Sequence, residues 1–145
     1  MSARWTLEDE EGSTLPLVLG YALLAVALIL VCVDATSLYL GQKRLDGLAD
    51  AAALAAADGF ELRVEGDAPR ARLDETDARA QALEIVEAAR FDETLRDPRL
   101  VSVDVGDGVS ATVTVAGVWH PPLFSPFVPA GVPLQGRATS RNALD

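Results

Sequence analysis

Hydrophobic residues are concentrated in one long run near the start of the chain. The segment Leu15 to Val33, LPLVLGYALLAVALILVCV, contains no charged residue. A helix needs about 20 apolar residues to cross a bilayer core of about 30 Å. Pro16 falls in the first helical turn, where the missing N–H is tolerated. The pattern predicts a transmembrane helix at residues 15–34, preceded by an acidic leader at residues 1–14.

The helical spacing of apolar residues does not stop at Asp34. It continues through an alanine-rich stretch, so residues 35–58 are predicted to form an amphipathic continuation of the same helix. A helix from Leu15 to Asp58 would be about 66 Å long at 1.5 Å per residue, which exceeds the bilayer thickness. The second half of the helix would therefore project into water.

Apolar and small residues recur every seven positions along one narrow edge of this projecting half. They form two rows offset by three, like the a and d positions of a coiled coil. We call this edge the seam; its residues are Leu38, Leu45, Leu48, Ala52 and Ala55. Traced back into the apolar run, the same register collects the small residues Gly20 and Ala27, which let membrane helices approach closely. We expect the seam to pack against partner helices; the alternative is packing against the chain's own C-terminal domain.

The remainder, residues 59–145, is predicted to be a small α+β domain. Apolar positions between Glu75 and Arg90 recur at helical spacing. Two alternating segments, LVSVDV and VSATVTVAGVW, flank the turn residues Gly106-Asp107-Gly108 and predict a β-hairpin. A proline-rich stretch at residues 120–133 ends the second strand, and LQGRATSR is a candidate third strand. The residues expected to pack this domain are Val103, Val105, Val113 and Val115.

The charge balance excludes one class of partner. Twelve basic and 22 acidic side chains give a net charge of −10, whereas nucleic-acid affinity comes mainly from Lys and Arg on phosphates. We therefore expect no nucleic-acid partner. The single cysteine, Cys32, lies inside the apolar run and cannot form an internal disulfide.

No residue pattern indicates catalysis, a cofactor or a metal site. His120 is the only histidine and stands beside two prolines, and GDGVS at residues 106–110 lacks the GxxxxGK[ST] pattern of a phosphate loop. Asp34 is the one ionisable residue with a candidate mechanism. It either reaches interfacial water or pairs with a cation of a neighbouring subunit and sets axial register.

The N-terminal third resembles the corresponding region of TadE/TadG-like proteins, components of bacterial Flp (tight adherence) pilus systems. The resemblance is carried by Gly12 before the apolar run, Asp34 at its far end, Arg44-Leu45, and the ADAAALA sequence at residues 49–55. It implies a minor pilin-like or assembly-associated protein in the cytoplasmic membrane. The implied partners are other pilin-like or Tad pilus-assembly subunits. The apolar run adds the lipid bilayer as a partner, and the seam adds other copies of this chain, packed through the N-terminal helix.

The resemblance also implies a processing site and an orientation. Some members are cut after a glycine, which places the candidate bond between Gly12 and Ser13. Leu17 stands where processed members carry glutamate, so an uncleaved anchor is the alternative. Lys43 and Arg44 follow the apolar run, and by the positive-inside rule they favour a cytoplasmic C-terminal domain. The resemblance implies an extracytoplasmic one, which is the orientation we adopt.

The first functional hypothesis is thus a single-pass, non-enzymatic structural component of a Flp-type pilus or a related secretion apparatus. A second hypothesis, from another class, is a membrane-tethered binding module unrelated to pili. Its recognition surface would be the aromatic and proline-rich stretch from Trp119 to Pro129. A third, a secreted enzyme with a signal peptide cut near Val33-Asp34-Ala35, is disfavoured because the sequence offers no plausible nucleophile–base pair.

Overall fold

The computed structural model describes residues 14–58, 60–65, 68–106 and 108–141. The chain forms one very long helix, a short hairpin, a second helix and three further strands, and the predicted α+β fold class is confirmed. The elements are α1 (Thr14–Asp58), β1 (Phe60–Glu65), β2 (Ala68–Leu73), α2 (Glu75–Ala88), β3 (Leu95–Asp104), β4 (Ser110–Trp119) and β5 (Val132–Arg141).

Helix α1 runs without a break through Asp34 and on to its last residue. Its two halves have different surroundings. The apolar half, residues 14–33, is exposed almost throughout and is long and apolar enough to cross a membrane. The head-packed half, residues 34–58, buries one side against the rest of the chain. We call the elements from β1 to β5 and their connections the head.

Strands β3, β4 and β5 form an antiparallel sheet with β4 in the centre. The β4–β5 ladder is regular from Ser110 opposite Arg141 to Trp119 opposite Val132. The candidate third strand is therefore present. Edge strand β3 is less regular, because Asp97 has a φ of 53° and precedes Pro98 where the register shifts. Proline is tolerated there, since an edge-strand bulge needs no ladder N–H.

The two helices cover one face of this sheet. Helix α1 packs on β4 and β5, α2 packs on β3, and the helices pack on each other. Alanines dominate the helix contact, which brings the two helix backbones close together. The larger buried core residues are Leu45, Leu48, Val86, Leu95, Val103, Val113, Val115 and Trp119, with Val105 partly buried beside them.

Helix α2 has the local signals expected of an amphipathic surface helix. The Asp74 side chain accepts a hydrogen bond from the Thr76 N–H at 2.8 Å and caps the start. Glu75 and Asp77 in the first turn complement the positive end of the helix dipole. Ala78 and Val86 are buried on the side facing the core, as their spacing predicted.

Strands β1 and β2 pair antiparallel, from Phe60 opposite Leu73 to Glu65 opposite Ala68, and form a separate two-stranded sheet. This hairpin was not predicted, because its segments FELRVE and APRARL are rich in charge. The Gly66-Asp67 dipeptide between them is a two-residue hairpin signal in the sequence.

The strands run along α1, and this direction determines which end of the head lies near the apolar half. Along β4, Gly117 faces Leu45, and Trp119 faces Gly41, one turn closer to the apolar half. Strand β4 is therefore antiparallel to α1 and ends beside the apolar half. The opposite end of the strand, Ser110, is about 30 Å away at 3.3 Å per residue.

Candidate functional site

The junction between the apolar half of α1 and the head carries the structural features most relevant to function. It consists of α1 residues 34–45, the ends of β4 and β5, and the β4–β5 loop at residues 120–131. Here the exposed apolar half of α1, which is long enough to cross a membrane, continues directly into the half of the helix that packs on the head.

Glycine allows β5 to approach α1 at backbone distance. A Cβ atom on Gly136 would lie 2.6 Å from the Leu45 carbonyl oxygen and 2.8 Å from its carbonyl carbon. Nearby, Gln42 Nε2 donates to the Gln135 carbonyl oxygen and to Asp46 Oδ1, both at 2.8 Å. The strand and the helix are thus held together by close packing and by a bridging side chain.

Trp119 anchors the end of β4 to α1. Its side chain is 5% exposed, and its ring lies 3.1 Å from where a Cβ on Gly41 would be. The indole Nε1 donates to Ser37 Oγ at 3.2 Å. Burial of an aromatic ring with its N–H satisfied is a strong and specific contact. Trp119 is therefore part of the core. The binding-module hypothesis included it in an exposed recognition surface, and its burial excludes it from that surface.

Asp34 is covered by the β4–β5 loop. The residue is 8% exposed, and Oδ1 accepts a hydrogen bond from the Leu123 backbone N–H at 3.3 Å. Among the described residues, Oδ2 is buried with no hydrogen-bond partner. The carboxylate thus ties the loop to α1 immediately after the apolar run. Pairing of Asp34 with a neighbouring subunit's cation stays a prediction.

The β4–β5 loop folds back on itself through short-range hydrogen bonds. Phe127 N and Val128 N donate to the Phe124 carbonyl oxygen at 2.9 and 3.1 Å, and Gly131 N donates to the Val128 carbonyl oxygen at 3.0 Å. The turn presents Phe127 outward, 79% exposed, and Leu123 is 44% exposed. The loop thus carries apolar side chains on its outer surface beside the apolar half of α1.

On another side of the junction an ion pair joins α1 to the segment before β3. Arg44 pairs with Asp92, and Asp92 also accepts hydrogen bonds from the Thr94 hydroxyl and backbone N–H. The Thr94 hydroxyl bond and then the Arg44 guanidinium lower the pKa of Asp92 to about 2. Both side chains of the pair are about half exposed, so this contact orients the segment more than it stabilises the fold.

A groove of about 560 Å³ lies beside this ion pair. One end is lined by apolar side chains of α1, including Leu28, Ile29 and Val33, and the other by Arg44 and Asp92. It crosses the boundary between the apolar half of α1 and the head. Cys32, the free thiol, also faces the groove.

The seam lies mainly under the chain's own head. Leu45 and Ala52 are fully buried, and Leu48 is 8% exposed. Leu38 and Ala55 are partly buried. The contact that the structure contains is therefore the second alternative, packing on the C-terminal domain. Contact of the seam with a second chain stays a prediction, as does processing at Gly12–Ser13, which lies outside the described residues.

The other sequence candidates have structural roles or stay open. His120 lies in the loop as expected, but it is partly buried, and its backbone N–H donates to the Thr94 carbonyl oxygen at 2.7 Å. Gly108 N donates to the Val105 carbonyl oxygen at 3.2 Å in the β3–β4 turn; Asp107 lies outside the described residues. Within the described ranges no group of three or more His, Cys, Asp or Glu side chains could hold a metal ion.

Comparison with known families identifies the N-terminal third. Residues 12–59 match the Tad family model, whose description reads "Putative Flp pilus-assembly TadE/G-like". The resemblance drawn from Gly12, Asp34 and the alanine tract is thereby confirmed. The match contains all of α1 and ends where the head begins. Comparisons with curated proteins and with solved structures give no match.

Proposed function

We propose that the chain is a membrane-anchored structural component of a Flp-type pilus or a related secretion apparatus, either a minor pilin-like subunit or an assembly factor. The observation that carries the proposal is the family match over residues 12–59, which coincides with α1. The match includes both the exposed apolar half and the alanine tract that holds the head. The matched segment thus contains both a membrane anchor and the helix surface on which the head packs.

The partner contact is assigned to the apolar half of α1. Much of the seam is covered by the head, whereas the apolar half is exposed along its length. In the seam register this half presents Gly20 and Ala27, flanked by Leu24 and Val31. Gly20 has no atom within 4 Å of an added Cβ. Small residues on one side of an apolar helix permit close packing against another membrane helix.

The test is genetic, with a matched pair of substitutions. Deletion of the gene is expected to abolish surface fibres seen by electron microscopy, and the parent gene is expected to restore them. Ala27→Leu adds bulk on the seam side and is expected to fail to restore fibres. Ala22→Leu adds the same bulk about 140° away around the helix, at 100° per residue, and is expected to restore them.

Immunoblotting checks that the two variants are present in equal amounts. Neither site contacts the head, so both variants are expected to keep its fold. Fibres that persist at parent number after deletion would contradict the pilus role. Equal restoration by Ala27→Leu and Ala22→Leu would remove the assigned helix contact while leaving the pilus role standing. A head that binds a soluble target but has no effect on fibres would favour the binding module instead.

Orientation is proposed to place the head outside the cytoplasmic membrane, as the family resemblance implies. Leu54 is 56% exposed on the head-packed half of α1. A Leu54→Cys variant in a Cys32→Ala background is expected to react with a membrane-impermeant maleimide added to intact spheroplasts. Reaction only after lysis would place the head in the cytoplasm and would overturn this orientation.

A further inference from the structure

We propose that the β4–β5 loop lies in the interfacial layer of the membrane, with the side chains of Leu123 and Phe127 among lipid acyl chains. The proposal depends on α1 crossing the membrane, and on no particular pilus partner. It assigns the loop a lipid surface as its partner. The loop then sets how deeply the head sits on the bilayer.

The first observation is the depth of the loop along α1. The Leu123 N–H donates to Asp34 Oδ1 at 3.3 Å, across 89 residues of sequence. Asp34 immediately follows the uncharged run that ends at Val33. Trp119, the residue before the loop, is bonded to Ser37 one turn further along. The start of the loop is therefore held at the level where the apolar run ends.

The second observation is that the surface of α1 stays apolar for about another two turns beyond Asp34. Tyr39 is 61% exposed and Leu40 is 49% exposed. The Thr36 hydroxyl donates to the Cys32 carbonyl oxygen at 2.8 Å, so its polar group is satisfied within the helix. Both features suit a helix surface that faces lipid.

The first cation of α1 then marks the boundary with water. Lys43 lies 5.9 Å from the centre of the Tyr39 ring, and an exposed tyrosine beside a lysine is typical of the lipid headgroup level. Asp34 is about 14 Å from Lys43 along the helix, at 1.5 Å per residue. The lipid–water boundary thus falls beyond Asp34, and a loop bonded to Asp34 lies on its lipid side.

The third observation is the chemistry of the loop itself. No Asp, Glu, Lys or Arg occurs between His120 and Arg137. Each backbone N–H that is bonded internally or absent lowers the cost of placing a loop near lipid. Within the loop four residues are prolines, and the N–H groups of five others are hydrogen-bonded within the chain: His120, Leu123, Phe127, Val128 and Gly131.

The arrangement also gives the Asp34 carboxylate a hydrogen-bond donor at this depth, the Leu123 backbone N–H. A bare carboxylate facing lipid is costly, and here the residue is 92% buried beneath the loop. The loop thus shields Asp34 from lipid while Leu123 and Phe127 contact the lipid from its outer side. Head and anchor are therefore joined through the lipid-facing loop as well as through the core.

The test measures the depth of single spin labels on the full-length chain in lipid nanodiscs. Each label is placed on one cysteine in a Cys32→Ala background. The test sites are Phe127→Cys and Leu123→Cys. Val18→Cys, 65% exposed on the side of the apolar half opposite Ala27, is the lipid control, and Val109→Cys, 46% exposed at the distal β3–β4 turn, is the water control. Collision rates with oxygen and with a water-soluble nickel chelate are compared.

Lipid insertion predicts that labels at residues 123 and 127 collide with oxygen like Val18→Cys. It also predicts nickel-chelate collision rates several-fold below those of Val109→Cys. A nickel rate equal to that of the distal control would place the loop in water and overturn the proposal. Low rates with both reagents would show that protein covers the loop, which also overturns it. The Val18→Cys label reports separately whether α1 lies in lipid.

A second measurement avoids the label. Phe127→Trp, in a Trp5→Phe background, adds one fluorophore to the constant Trp119. In bilayers of brominated phosphatidylcholine the added fluorescence is expected to be strongly quenched, and the same substitution at Val109 to be unquenched. Equal quenching at the two sites would contradict insertion of the loop.

Discussion

Substitution of Gly136 by alanine tests the contact that holds the head on its helix. The added Cβ would lie 2.6 Å from the Leu45 carbonyl oxygen, 2.8 Å from the Leu45 carbonyl carbon and 3.1 Å from the Asp46 nitrogen. Ordinary contacts of carbon atoms begin at about 3.5 Å, so strand and helix must separate by about 1 Å. The opposing atoms belong to the backbone of α1, and no side-chain rotation can relieve the clash.

The expected loss of stability follows from what this separation disturbs. Overpacking a core by one carbon typically costs about 1–3 kcal/mol. A backbone clash above the fully buried Leu45, Val113 and Val115 belongs at the upper end, about 3 kcal/mol. For a domain of this size that corresponds to a fall in Tm of about 10 °C or more. It is a large part of the 5–15 kcal/mol that ordinary domains have.

Gly47→Ala is the matched control on the same helix. No atom lies within 4 Å of a Cβ at Gly47, and alanine is about 1 kcal/mol more favourable than glycine in an exposed helix interior. The control is therefore expected to stabilise. The assay is urea unfolding of the full chain in mild detergent, followed by Trp119 fluorescence in a Trp5→Phe background. Equal unfolding midpoints for Gly136→Ala and the parent would refute the close approach of β5 to α1.

Substitutions at three further residues test other contacts of the junction and core. Asp34→Asn keeps an acceptor for the Leu123 N–H and is expected to leave the urea midpoint unchanged, whereas Asp34→Ala is expected to lower stability by about 1–3 kcal/mol. Because the pKa of Asp92 is lowered in the folded chain, the ionised carboxylate stabilises the fold above about pH 4. This stabilisation is lost as the pH falls towards 2. The parent should therefore lose up to about 1 kcal/mol more than Asp92→Asn between pH 5 and pH 2.5. Leu45→Ala, at a fully buried site, is expected to cost about 2–5 kcal/mol by the same assay.

The elements with strong periodicity could be predicted from the sequence. The apolar run and the alanine tract indicated one long helix, and α1 is continuous from Thr14 to Asp58. Alternation around the Gly-Asp-Gly turn indicated the β3–β4 hairpin, and the third strand follows the proline-rich stretch. In each case one local period, 3.6 or 2, dominates the segment.

The spacing of the seam residues could not show which element packs on them. A row of Leu and Ala residues repeating every seven positions looks the same whether a partner helix or a sheet covers it. The sheet that covers it is formed by residues far away in sequence, where Gly136 and Gly117 leave room for Leu45. That fit depends on the register of β4 and β5, which local periodicity does not specify.

The position of the β4–β5 loop against α1 could not be predicted from local sequence patterns either. Its prolines indicated the end of a strand, but its bond to Asp34 links residues 89 positions apart. The β1–β2 hairpin was missed for a different reason: its segments lie in a charged stretch of the chain, although Phe60, Leu62 and Val64 alternate with charged residues at the strand period. Only the Gly66-Asp67 dipeptide pointed to a turn there.

Cysteine accessibility along α1 tests most directly the claim that anchor and head form one packed unit. Ala52 is fully buried beneath the head, whereas Leu54, two residues on, is 56% exposed. Ala52→Cys and Leu54→Cys, in the Cys32→Ala background, are compared by maleimide labelling of the detergent-solubilised monomer. Rapid labelling of Leu54→Cys, with Ala52→Cys reacting only after the chain is unfolded in urea, is the result we predict. Equal labelling of both cysteines in the native monomer would contradict the packed unit.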